Sequence, residues 1–186
     1  MELYDLFAHI LEPPRPSLSK EVKECVSILA PSRWQAAVLM NRFKTFVDQT
    51  PFNRIEEIYA ETFSLQGACY PYVGYHLYGD GNHRRMFLAG LEEQYQIYDF
   101  SAVQELPDHL GIMLQFLTKD EDEEEREELI SLCMIPALKR MLEGLEDRPT
   151  PYKEMMQALL LLLQEGERTR DEKMVPKMEE EFSSSE

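Results

Sequence analysis

The sequence predicts an all-α protein, a single-domain helical bundle, and three observations carry that prediction. Apolar residues recur at helical spacing almost throughout, and no segment sustains the two-residue alternation of a half-buried strand. Prolines paired with small polar residues punctuate the chain at intervals suited to helices. A length of 186 residues fits one domain, and a chain of that size buries roughly 70% of the surface its unfolded form exposes. The expected division is a bundle over residues 1–165 and a charged, disordered tail over 166–186, where composition offers too little apolar area to offset ordering entropy.

Taken in order, a first helix runs from Glu2 to Leu11 and stops before Pro13, Pro14 and Pro16, which cannot continue it. A second begins at a Ser19 cap and ends near Leu29, ahead of Pro31. Ser32 is placed to cap a longer helix with Ala36, Leu39, Met40, Phe43, Phe46 and Val47 on one face. Thr50 and Pro51 supply a cap and a first-turn proline for the next, which carries Ile55, Ile58, Tyr59 and Phe63 on one side. A crossing rich in Gly, Pro and Tyr follows from Gln66 to Gly81, with a short helix around Val73 to Leu77. Leu88, Leu91, Tyr95 and Tyr98 then mark another helix, and Pro107 and Asp108 open one that runs through Leu117. The charged run from Lys119 to Glu128 reads as a solvated loop leading into an acidic first turn. Beyond it Ile130, Cys133, Ala137, Met141 and Leu145 point inward on a helix kinked by Pro136, and a last helix starts at Thr150 and Pro151.

The formal net charge is −16, from 35 acidic and 19 basic side chains, which disfavours nucleic-acid binding and favours cationic partners. Cys25, Cys69 and Cys133 are isolated, with no C-x-x-C pair, so they read as small buried hydrophobes and not as a disulfide framework or metal site. No signal segment or membrane span is legible, and the expected setting is the cytoplasm.

The stretch from Glu105 to Leu110, ELPDHL, sets acids beside an imidazole where a helix begins. Pro107 and Asp108 suit a helix start on structural grounds alone, Asp108 as cap or as dipole partner. Glu105 and His109 have no such role. A carboxylate next to His109 would raise its pKa and orient its ring, making a polar pair for a cationic or hydrogen-bonding partner. Tyr59 and Phe63, four residues apart, form an aromatic pair of the kind usual in cores. Catalysis is poorly supported: there is no nucleophile elbow, phosphate-cradling glycine loop or metal-ligand helix pattern.

ELPDHL, followed by Leu114, Gln115, Phe116 and Leu117, closely resembles the ELPDHLPxxLEFL signature of the respiratory nitrate reductase assembly chaperones, the NarJ branch of the TorD-type redox-enzyme maturation proteins. Glu57 to Ser64 is similar to that family's EIYVxxFD segment, and Tyr75 to Asp80 to its YHxYGD segment, with Arg84 and Tyr95 at similar spacing beyond. Ile135 to Leu138 and Pro149 to Tyr152 are similar to its APAL and SPY segments. Ser64 stands where the family usually has Asp, Gly111 where it has Pro, and Arg85 where a glycine is common.

The resemblance implies a TorD/NarJ-like bundle that is no enzyme and binds no cofactor stably, the molybdenum cofactor belonging to its client. The implied partner is the apo catalytic subunit of a molybdenum, iron–sulfur oxidoreductase, gripped by its N-terminal leader or leader remnant. The implied groove has Glu105, Asp108, His109 and His76 at a polar end facing outward and Tyr59 and Phe63 as an apolar wall. A generic acidic helical adaptor for some other basic partner is the alternative.

Overall fold

A computed structural model describes residues 2–64, 68–103, 105–120 and 122–165. Helices succeed one another as α1 (Glu2–Ile10), α2 (Leu18–Leu29), α3 (Trp34–Gln49), α4 (Phe52–Phe63), α5 (Val73–Tyr78), α6 (Asn82–Ile97), α7 (Leu110–Phe116) and α8 (Glu123–Glu128). A π-helical stretch (Leu129–Met134) then leads into α9 (Ile135–Gly144), and α10 covers 152–165. The fold is all-α, as expected. Among the described residues the extended pairing is confined to one isolated antiparallel bridge, Tyr72 with His109. The tail expected over 166–186 lies outside the described residues.

The apolar faces meet in one core. α1 packs on α2 and α7 and buries Phe7, Ala8 and Ile10, and α2 packs on α3, with Val22, Cys25 and Leu29 of α2 and Met40 and Phe43 of α3 all buried. Seven-residue α7 is buried almost all round, through Leu110, Met113, Leu114 and Phe116, which makes it the central rod. A second centre is aromatic: Tyr152 of α10 lies with its ring centroid 5.0 Å from Phe43, 5.8 Å from Tyr59 and 5.2 Å from Phe63. Tyr59 and Phe63 are themselves 5.2 Å apart, and the Tyr59 hydroxyl donates to the Leu11 carbonyl at 2.9 Å.

Several helix starts differ from expectation because serines found other partners. α2 begins before Ser19, whose hydroxyl donates across to Asp48 of α3 at 2.9 Å. Ser32 belongs to the turn closing α2, its N–H donating to the Leu29 carbonyl, and the residue preceding α3 is Arg33, with no side-chain cap. Pro51 takes the position before α4, one residue later than expected, and its carbonyl accepts from Arg54 and Ile55. Asp122 does cap the acidic α8, accepting from the N–H groups of Glu124 and Glu125 at 2.9 and 3.1 Å. Thr150 precedes α10, its hydroxyl 3.4 Å from the Tyr152 N–H and 2.8 Å from that of Thr62.

The distortion at Pro136 takes a specific form. Proline has no N–H for the carbonyl four residues back, so the α pattern cannot pass through it unbroken. The turn before it is wound wider: Ile135 donates to Ile130, five residues back. The extra residue turns Met134, Ile135 and Leu138 inward along with Ile130, Ala137, Met141 and Leu145. It leaves Cys133 only half buried and Leu132 exposed.

Candidate functional site

The ELPDHL segment is held from three sides. Backbone pairing comes first: Val73 N–H donates to the Asp108 carbonyl and Leu110 N–H to the Pro71 carbonyl, both at 2.8 Å, which pins the loop against the start of α5. From α6, the Tyr95 hydroxyl donates to the Pro107 carbonyl at 2.8 Å. Arg84, also on α6, grips the Asp108 carboxylate with two N–H groups, Nε to Oδ2 at 2.9 Å and Nη2 to Oδ1 at 3.2 Å. This forked geometry is the strong form of the contact. The same guanidinium reaches Asp80 at 3.0 Å and lies over the rings of Tyr72 and Tyr75 at 5.4 and 5.9 Å.

Asp108 is 0% exposed. Gly74 makes its position possible, since a Cβ there would stand 2.8 Å from Asp108 Oδ2 and 2.8 Å from Phe87. Burial corrects two expectations at once: Asp108 does not cap a helix, and it does not look outward. Its charge is spent on Arg84, a residue 24 positions upstream that only the folded chain brings close.

His109, not Asp108, is the cap of α7. Its Nδ1 accepts from the Gly111 N–H at 3.2 Å, so the ring is the neutral tautomer protonated on Nε2, with Tyr72 packed edge-on at 5.4 Å. The proline usual in the resembled family has no N–H to donate here, and Gly111 supplies one. His109 is buried, which pushes its pKa below the ordinary value of 6.5 against the opposing pull of Glu105 and Asp108. The expected rise is therefore reversed, because desolvation outweighs the neighbouring charges.

The sign of the pH effect follows. The unfolded chain takes up a proton at His109 near pH 6.5 while the folded chain resists until lower pH, so the stability held by neutral His109 is complete above that value and lost as pH falls through the window below it. Urea midpoints measured from about pH 7.5 down to about pH 5.5 should fall less steeply in His109→Asn than in the parent. Parallel curves would show that His109 does not titrate in this way.

Glu105 is the outward member. It is exposed and accepts from the Tyr72 hydroxyl at 2.8 Å, with Val103 and Leu106 exposed beside it. His76 sits apart on α5: its Nε2 pairs with the Tyr70 carbonyl at 2.8 Å, its ring meets Tyr75 edge-on, and burial lowers its pKa. Arg140 of α9 donates to the carbonyls of His76 and Leu77, tying α5 to α9. Tyr59 and Phe63 belong to the aromatic centre around Tyr152.

Of the six expected residues, Glu105, Asp108 and His109 thus gather around Tyr72 at the signature loop, Tyr59 and Phe63 join the aromatic centre, where burial and then the nearby Glu105 charge raise the Tyr59 pKa, and His76 is tied to Tyr70. Surface depressions among the described residues include one of about 540 Å³ beside Phe46, Pro149 and Glu154 and one of about 280 Å³ between α6 and the π-helical stretch, and none of the six lines these two. Sequence reasoning missed Tyr72 and Gly74, which carry no motif of their own; Arg84 and Tyr95 were visible only through their spacing in the resemblance. The buried Cys69 thiol donates to the Tyr70 carbonyl and is pushed up to about 12, which leaves it a poor nucleophile. Among the described residues no group of three or more His, Cys, Asp or Glu side chains is arranged to hold a metal ion.

A family model described as "Nitrate reductase delta subunit" matches residues 32–165. The chain belongs to the nitrate reductase delta subunit family. No curated protein matches it. Membership implies a molybdoenzyme maturation chaperone, not a catalyst, with association to a nitrate reductase catalytic subunit, and it confirms the resemblance carried by ELPDHL. In this delta-subunit-family chain the matched span holds the whole signature loop together with Arg84, Tyr95 and α10. No described helix is long and apolar enough to cross a membrane.

Proposed function

We propose that this protein is a cytoplasmic, client-dedicated chaperone. It binds the N-terminal leader, or leader remnant, of the apo catalytic subunit of a nitrate reductase-like molybdenum, iron–sulfur enzyme and holds that subunit until the molybdenum cofactor is inserted, ahead of membrane targeting. The observation that supports this reading is the built form of the signature loop. Buried Asp108 and His109 and the Tyr95 contact hold it rigid, while Glu105, Val103 and Leu106 stand exposed on it.

In this reading Glu105 receives an arginine of the peptide, and Val103 and Leu106 cover its apolar side chains. Asp108 and His109 act as positioning residues, and Tyr59, Phe63 and His76 support the helices behind the loop. Micromolar binding requires about 8 kcal/mol, and an exposed ion pair contributes only about 0.2–1 kcal/mol, so apolar contact has to carry most of the affinity.

The test is calorimetry with a synthetic N-terminal peptide of the catalytic subunit. Glu105→Lys and Leu106→Ser should each weaken binding about tenfold, or 1.4 kcal/mol, at unchanged melting temperature. Equal affinity in both variants would refute the assignment. The net charge of −16 also suits a general acidic adaptor for basic partners; indifference to peptide sequence at constant charge would favour that reading.

A further inference from the structure

We infer that the groove between α6 and the π-helical stretch is a second docking surface, for an amphipathic helix of a protein partner that carries lysine or arginine beside its apolar stripe. The inference goes beyond the peptide-binding role of the signature loop and does not depend on it.

Three observations converge. The groove, about 280 Å³, has a floor of Leu91, Phe116, Leu129 and Cys133, with Asp120 buried in its wall, and a rim of the exposed Glu125 and Glu128. That volume lies just below the range for small-molecule pockets, roughly 300–1,000 Å³, and suits one or two apolar side chains of a larger partner. Next, α6 carries a face that none of the described residues covers. Helical spacing puts Met86, Gly90, Glu93 and Ile97 on one side, Met86 is 66% and Ile97 71% exposed, Glu93 adds an exposed acid between them, and Gln94 at the edge of this face helps to line the groove. Leu132, 67% exposed, stands on the opposite bank, brought to the surface by the π turn.

The third observation is Gly90 itself. Glycine in mid-helix is unfavourable by comparison with alanine, and the fold gives no reason for it: a Cβ there would meet nothing within 4 Å. A glycine between the exposed Met86 and Ile97 lets another backbone approach closely, which a docked helix would use. The mode is helix in groove. Among the described residues no strand offers an edge for an extended peptide, and the walls are themselves helices. The acidic rim selects the sign of the partner's flanking charges and disfavours a second copy of this chain, whose net charge is −16.

The test uses a synthetic helix-forming peptide with leucines at i, i+3, i+4 and i+7 flanked by arginines, read by fluorescence anisotropy on the full chain, with a scrambled peptide of equal composition as control. Gly90→Gln, Leu132→Glu and the double variant Glu125→Lys/Glu128→Lys should each weaken binding at least tenfold, with melting temperature unchanged or, for Gly90→Gln, raised. Glu105→Lys should leave it unaltered. Backbone amide shifts on titration should concentrate in 86–97 and 129–133. Equal affinity for the scrambled peptide, indifference to Gly90→Gln and Leu132→Glu, or an equal loss in Glu105→Lys would overturn the inference. Because the signature loop is assayed with a different peptide and a different variant, failure there and failure here are separable.

Discussion

Asp108→Ala is expected to destabilise the fold by about 3–5 kcal/mol, the penalty for leaving one member of a buried ion pair alone. Asp108 is fully enclosed, and its removal strands the Arg84 guanidinium over Tyr72 and Tyr75 with Asp80 as the remaining carboxylate partner among the described residues. For a domain of this size the melting midpoint should drop on the order of 10 °C, measurable by circular dichroism. Sequence reasoning alone predicts that this substitution weakens peptide binding and spares the bundle; burial changes the expectation, since a residue cannot leave an enclosed pair without cost to the fold. The double variant Arg84→Met/Asp108→Ala should lose clearly less than the sum of its singles, because removing both charges removes the unpaired one. An additive cycle, or a parent-like melt for Asp108→Ala, would show the pair to be dispensable. Any binding defect of Asp108→Ala therefore has to be judged against Glu105→Lys, which acts at the surface.

The other large effect is expected at Tyr152. Its ring is enclosed by Phe43, Tyr59 and Phe63, and its hydroxyl is buried without a hydrogen-bond partner among the described residues. Tyr152→Ala opens a cavity where α3, α4 and α10 meet and should cost about 3–5 kcal/mol. Tyr152→Phe keeps the ring and deletes the unsatisfied hydroxyl, so it should be neutral or stabilising by about 1 kcal/mol. Urea denaturation of the two variants decides the matter, and a Tyr152→Phe loss comparable with that of Tyr152→Ala would reveal a hidden partner for the hydroxyl. Tyr152 lies in the segment that resembles the family's SPY motif, and the structure assigns that tyrosine to the core.

Most helix positions were legible to within two or three residues because their causes are local. The apolar period of α3 and the lack of an N–H at Pro136 each act between neighbouring turns. Ser19 and Ser32 were misread where a local rule competed with a distant one: Ser19 was in a position to cap α2, but Asp48 on another helix offered its hydroxyl a better use. The candidate site was less legible. Tyr59 and Phe63 were rightly paired, but what they face depends on Tyr152, 93 positions after Tyr59, and no period or spacing encodes that.

By itself the sequence determined the helical class, the approximate ends of the helices and, through ELPDHL and its companion segments, the family. These follow from contacts between residues close in the chain and from the identity of a short string. Only the tertiary structure decided which of the acids and imidazoles faces solvent. Arg84 reached Asp108 across 24 positions and drew it inside, His109 turned to its own helix, and Glu105 was left at the surface. A carboxylate's exposure is set by where its counter-charge comes to rest after the helices pack, and that is information no neighbouring residue holds.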